Sequence, residues 1–130
     1  MDSSDLKRLS ETEAEVMRTI WSLAGSVTVT QILQIFAETK NWKTSTLSTI
    51  LARLQHKGFL SKTLVGNINY YTPTLLEEEY KKRETKSFLT AIHNGSVKSF
   101  FAALAEDEEM AAAEISEIRQ WFGEKAGDKI

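Results

Sequence analysis

The period of the apolar residues drops from helical spacing to two at Phe59, and where it drops limits the folds open to this chain. Up to Gly58 the apolar residues recur at helical spacing. They fall in three sets: Val16, Met17, Ile20, Trp21 and Ala24; then Val29, Ile32, Leu33 and Phe36; then Leu47, Ile50, Leu51 and Leu54. From Phe59 the period drops to two, in FLSKTLV and INYYT around Gly66-Asn67, with Pro73 closing the second run. Three amphipathic helices followed by a hairpin is the layout of a winged helix-turn-helix.

Capping residues set the expected boundaries. Ser10 with Glu13 forms an S-x-x-E box, with Leu9 placed as its hydrophobic staple, and Gly25 stops the first helix. Thr28 with Gln31 opens the second, which Asn41 and Trp42 end, and the third runs from Thr44 to Gly58. A further box, Thr74 with Glu77, is expected to start a long helix to His93, with Glu77–Lys81, Glu78–Lys82 and Glu79–Arg83 as i,i+4 pairs on its exposed face. After Gly95, Ser96 caps a short helix bearing Val97, Phe100, Phe101 and Leu104. A last helix carries Ala111, Ile115, Ile118 and Phe122. The acidic run Glu106–Glu109 sits near its N-terminus, where the macrodipole favours negative charge. The expected architecture is mainly α: a winged-helix domain over 1–73 (three helices plus a β-hairpin wing), then a three-helix dimerisation domain over 74–130.

Composition narrows the chemistry. The 130 residues include no cysteine, which removes disulfides, thiolate metal sites and cysteine nucleophiles. His56 and His93 are too far apart in sequence to suggest a pair, and read as ordinary surface or helix-end residues. No glycine-rich phosphate loop, H-E-x-x-H or G-x-S-x-G is present, and the carboxylates concentrate on charge-paired helix faces. The expectation is a protein that is not an enzyme, with no catalytic residue, no metal and no cofactor. The apolar runs are too short to span a membrane, and MDSSDLKRLSETE lacks the apolar core of a secretory signal, so a cytoplasmic location is expected.

The net charge of −2 hides an uneven distribution. Residues 1–73 hold eight Lys/Arg against six Asp/Glu, and residues 74–130 hold eight against twelve. Between 40 and 73, Lys40, Lys43, Arg53, Lys57 and Lys62 occur with no acidic residue, a plausible footprint for phosphate. The non-core face of the third helix reads Ser45, Ser48, Thr49, Ala52, Arg53 and His56. Such short polar side chains let a helix approach the major groove and reach base edges and phosphates. Lys43 and Arg53 add charge, and the wing offers Lys62, Asn67 and Asn69. Two alternatives stand beside double-stranded DNA as the partner. The lysines can be a chance solvated run, and a winged helix can serve as a protein-interaction module that binds no DNA.

Beyond the hairpin, Phe88, Leu89, Ile92, Val97, Phe100, Phe101, Leu104, Ile115, Ile118, Trp121 and Phe122 lie within about 55 residues. A segment so small rarely supports a core by itself, so this set is the candidate homodimer interface. The competing reading has these helices folding back on the N-terminal domain.

In order along the chain, LSETEAEVMRTIW, NWKTSTLSTILARLQHKGFL, NINYYTP and KSFLTAIHNGSVKSFF resemble the penicillinase-repressor family (BlaI/MecI/CopY-type winged-helix transcriptional repressors), over Leu9 to Phe122. The E-x-x-V-M-x-x-I-W stretch and the pattern Thr46, Thr49, Arg53, Leu54 carry the likeness. The resemblance implies a homodimeric transcriptional repressor that occupies a pseudo-palindromic operator. By position it implies DNA contacts at Lys43, Thr44, Ser45, Thr46, Ser48, Thr49 and Arg53, with Asn67 in the wing and Tyr71 packing at the hairpin base. Ser45 and Ser48 stand where such repressors often carry Lys or Arg, which puts the family's base preference in doubt here. The family's copper branch senses metal through a C-terminal cysteine motif that this chain lacks. Its β-lactam branch is induced by an upstream sensor and proteolysis at an Asn-Phe bond, where this chain has Ala103-Leu104.

Overall fold

The computed structural model describes residues 8–106 and 112–128. Their element order is α1 (Glu11–Ser22), α2 (Val29–Phe36), α3 (Thr44–His56), β1 (Leu60–Val65), β2 (Ile68–Pro73), α4 (Glu77–His93), α5 (Val97–Ala105) and α6 (Ala112–Asp128). The fold is mainly helical, with a winged helix-turn-helix followed by three further helices. One compact unit ends at Lys81 and a second begins at Lys82.

The core of the first unit is assembled from the apolar stripes of the sequence. Val16, Met17 and Ile20 of α1 meet Ile32 and Phe36 of α2, Leu47, Ile50, Leu51 and Leu54 of α3, and Phe59, Leu60 and Tyr71 from the hairpin base. Each fully buried aliphatic side chain contributes about 1.5–3 kcal/mol, so the cluster accounts for most of the cohesion of this unit. Leu9, Trp21, Val29, Leu33, Trp42 and Tyr80 pack partly buried around it.

Both first capping boxes form: the Ser10 and Thr28 hydroxyls accept the backbone N–H of Glu13 and Gln31, whose side chains accept the cap N–H in return. At the end of α3, Gly58 takes φ +92°, and the N–H groups of Gly58 and Phe59 donate to the carbonyls of Gln55 and Leu54. This is a Schellman closure, and it delivers Phe59 back into the core beside Leu54. The hairpin pairs antiparallel from Leu60↔Pro73 to Val65↔Ile68, leaving the expected two-residue turn at Gly66-Asn67. Gly66 has φ +64°, as the first central residue of a II′ turn requires. Val27 bridges Tyr71 as a one-residue third strand, with both backbone hydrogen bonds made (2.9 and 2.8 Å).

Three local expectations are corrected. Helix α1 ends at Ser22, and Ala24, placed on its apolar face by periodicity, lies beyond it with φ +52°. The second helix ends at Phe36 rather than at Asn41-Trp42. The carbonyl of Phe36 accepts from Lys40 and Asn41 in a following turn, and Asn41 adopts φ +50°. The Thr74 box does not form. Its hydroxyl donates to the Gly58 carbonyl (2.5 Å), tying hairpin base to α3 end, and α4 starts two residues later than a Thr74 cap requires. On α4, Glu78 lies 3.6 Å from Lys81, one turn on at i+3.

In the second unit, Asn94 and Gly95 take positive φ, and Ser96 caps α5 by accepting from the Ser99 N–H. Phe88, His93, Phe100, Phe101 and Phe122 form a chain of edge-on ring contacts at 5.5–5.9 Å. Ala111 and residues 107–109 of the acidic run lie outside the described residues.

Candidate nucleic-acid interface

Helix α3 turns Leu47, Ile50, Leu51 and Leu54 into the core. The same geometry leaves Thr44, Ser45, Thr46, Thr49, Ala52, Arg53 and His56 exposed, with Ser48 half-buried. The expected DNA-facing residues of this helix therefore share one outward face. The Thr49 hydroxyl donates to the Ser45 carbonyl one turn back (2.9 Å), which fixes its rotamer and leaves its oxygen free to accept.

The start of α3 differs from those of α1, α2 and α5, each capped by a Ser or Thr hydroxyl. Its N-cap is Lys43, which makes no side-chain cap hydrogen bond, and its first turn holds no acidic residue. The first intrahelical donors are Thr46 and Leu47, both to the Lys43 carbonyl, so the N–H groups of Thr44 and Ser45 point out of the helix end. Together with the positive end of the helix dipole and the Lys43 ammonium, this arrangement suits an anionic oxygen.

Electrostatics revises the basic footprint read from the sequence. Lys57 is engaged by Glu13 at 2.5 Å and by the Arg8 carbonyl at 3.1 Å. Lys40 lies 3.2 Å from Glu15. An acid-free stretch of sequence is therefore not acid-free in space, because α1 brings its carboxylates to both lysines. Lys43, Arg53 and Lys62 remain as the exposed cations of the stretch. Burial pushes the Glu13 carboxyl up. Hydrogen bonds from Lys57 and from the Ser10 backbone and hydroxyl, with the Lys57 charge, outweigh it and hold the group below its ordinary value.

In the wing, Lys62 and Asn67 are exposed as expected, and Tyr71 is buried at the hairpin base. Absent from the sequence reading is the apolar tip, where Leu64, Val65 and Ile68 are 65%, 60% and 51% exposed. The signal was available in the alternation: Leu64 and Val65 are adjacent and face opposite ways, so one core cannot cover both. Among the described residues no group of three or more His, Asp or Glu side chains could hold a metal ion. No helix among them is long and apolar enough to cross a membrane.

The sequence profile of the penicillinase repressor family matches residues 9–124. The chain belongs to that family. It is 30% identical over 124 residues to the penicillinase repressor of Bacillus licheniformis, covering 95% of this chain and 96% of that one. It is 27% identical over 117 residues to the methicillin resistance regulatory protein MecI of Staphylococcus aureus, covering 90% and 94%. In three dimensions it is similar to the solution structure of the DNA binding domain of the repressor BlaI. That likeness has a TM-score of 0.51 and 32% identity, and covers 58% of this chain and 90% of that domain. These named relatives are a repressor and a resistance regulator, and the solved domain that the chain resembles is the DNA binding domain of a repressor.

The eleven apolar residues of the candidate dimer interface all lie in α4, α5 and α6, and none is buried. Phe88, Ile92, Val97, Trp121 and Phe122 are exposed, while Leu89, Phe100, Phe101, Leu104, Ile115 and Ile118 are half-buried.

Proposed function

We propose that this chain is a DNA-binding transcriptional repressor that occupies a pseudo-palindromic operator as a homodimer, with α3 in the major groove. The observation that carries the reading is the outward face of α3. It combines short hydroxyl side chains, Lys43 and Arg53, an uncapped N-terminus and no carboxylate. Lys43 and the N–H groups of Thr44 and Ser45 hold phosphate, Thr46, Ser48 and Thr49 face base edges, and Arg53 and Lys62 add contacts at the helix end and wing. Membership of a repressor family and likeness to the BlaI DNA binding domain support the assignment.

Three cations make a weak monomer, so two half-sites bound together supply the affinity. The second unit supports this reading, because no described side chain of α4, α5 or α6 is buried, although eleven are large and apolar. A second copy covering them provides the core these helices lack. Release from the operator by an upstream sensor or protease then acts on the dimer, with Ala103-Leu104 of α5 as the position to watch. The protein works in the cytoplasm, where its DNA is.

Selection of bound duplexes from a random pool, followed by salt titration on the winner, tests the reading. A two-fold symmetric site is expected, with log K falling by roughly 0.9 per phosphate contact for each unit of log salt. No enrichment from folded, dimeric protein would overturn it in favour of a protein-interaction module.

A further inference from the structure

The wing ends in three aliphatic side chains that no part of the fold uses. Val65 and Ile68 are directly cross-strand and flank the Gly66-Asn67 turn, while Leu64 pairs with Asn69 on the opposite face of the ribbon. All three are more than half exposed, and none belongs to the core cluster or packs against it. Scattered surface aliphatics are ordinary, but three at one hairpin tip, two on one face of the ribbon and one on the other, make its end apolar on both sides. The ribbon around them is nearly uncharged, since from Gly58 to Pro73 its one charged side chain is Lys62. Nothing in it repels a polyanion, and the tip itself brings no ammonium or guanidinium to a phosphate.

We propose that Leu64, Val65 and Ile68 pack against the sugar walls of the minor groove beside the α3 site, and thereby select A·T pairs there. The proposal rests on the repressor reading above. Three observations commit the patch to DNA. First, the hairpin base is fixed to α3, because Leu60 and Tyr71 share a core with Leu51 and Leu54, and the Schellman closure at Gly58 leaves no slack. Second, reach matches. Five strand steps from Leu60 to Val65 span about 17 Å, and half a turn of duplex, from a major groove to the next minor groove, is also about 17 Å. Third, Asn67 and Asn69 place amide donors beside the aliphatics, suited to the adenine N3 and thymine O2 acceptors of the groove floor. A G·C pair adds an amino group to that floor, and aliphatic side chains pressed over it leave its N–H unsatisfied. Apolar wedges of this kind are a recurrent way of gripping and opening a minor groove.

The test uses the full chain and the duplex it selects, read by fluorescence anisotropy. The triple variant Leu64→Thr/Val65→Thr/Ile68→Thr keeps strand-favouring residues at exposed positions, and its melting curve confirms the fold. Its affinity is expected to fall about tenfold or more with the salt slope unchanged, because no phosphate contact is lost, whereas Lys62→Ala lowers the slope by roughly 0.9. Replacing adenine by 2,6-diaminopurine in the flanking step adds the minor-groove amino group and leaves the major-groove edge alone. Wild type loses affinity on that duplex and the triple variant does not. A folded triple variant with wild-type affinity and wild-type sensitivity to diaminopurine overturns the inference and turns the patch over to a protein partner. A wild-type chain that selects no duplex at all is a different result, and overturns the repressor reading together with this one.

Discussion

The ammonium of Lys57 lies 2.5 Å from Oε1 of Glu13, joining the residue that caps the C-terminus of α3 to the first turn of α1. Glu13 is 4% exposed and also closes the Ser10 capping box, while Lys57 reaches on to the Arg8 carbonyl. One carboxylate therefore caps α1 and holds the far end of α3. The placement of α3 depends on a buried carboxylate of α1.

Glu13→Gln is expected to lower unfolding free energy by about 1–3 kcal/mol, since it removes a buried charge-assisted hydrogen bond. The Glu13 carboxyl is depressed in the folded state, so its contribution is fully present above the ordinary value of 4.5. It is lost as pH falls through the lower folded value. Urea melts at pH 7 and near pH 3 should therefore show the variant and wild type converging in acid. A constant gap across that range would refute the linkage.

Arg53→Ala and Lys57→Met separate contact from support. Arg53→Ala should weaken operator binding by about tenfold and reduce the salt slope by roughly 0.9, with an unchanged melting temperature. Lys57→Met should lower the melting temperature and leave the salt slope intact, because Lys57 is already neutralised by Glu13. Salt titrations beside thermal melts check both; a reduced slope for Lys57→Met would return that lysine to the DNA surface.

Ile92→Glu and Phe122→Glu place a carboxylate in the apolar face of the second unit, at residues 64% and 45% exposed. Both variants should sediment as monomers at concentrations where wild type is a dimer, with the helical circular dichroism of the second unit weakened as its shared core is lost. Operator affinity should then fall by about a hundredfold as linkage of the half-sites is lost.

Ala24→Gly should raise stability by roughly 0.5–1 kcal/mol. Ala24 has φ +52°, where a β-carbon is strained, and the N–H there closes α1 onto the Trp21 carbonyl. Chemical denaturation reads the change; a loss of stability would mean the left-handed conformation is not populated in solution.

Most of the fold was legible because it rests on local chemistry. The Ser10 and Thr28 boxes form as written, the apolar stripes of α1, α2 and α3 become the core, and Gly66-Asn67 turns the hairpin. Errors came where a local signal met a distant competitor. Thr74 fits the capping pattern but donates to the Gly58 carbonyl, 16 residues away, a partner no window of sequence contains. Asn41 does not lie at the end of α2 itself but closes the turn that follows it, donating its N–H back to the Phe36 carbonyl.

The sequence by itself determined the secondary structure, the stripe each helix buries and the hydroxyl-rich face of α3, since these follow from spacing along one chain. Only the tertiary structure decided which cations are free. Coulomb interaction depends on separation in space, and α1 folds Glu13 and Glu15 onto Lys57 and Lys40 from 44 and 25 residues away. It likewise left Leu64, Val65 and Ile68 in solvent, because the hairpin extends beyond the reach of the core that anchors its base.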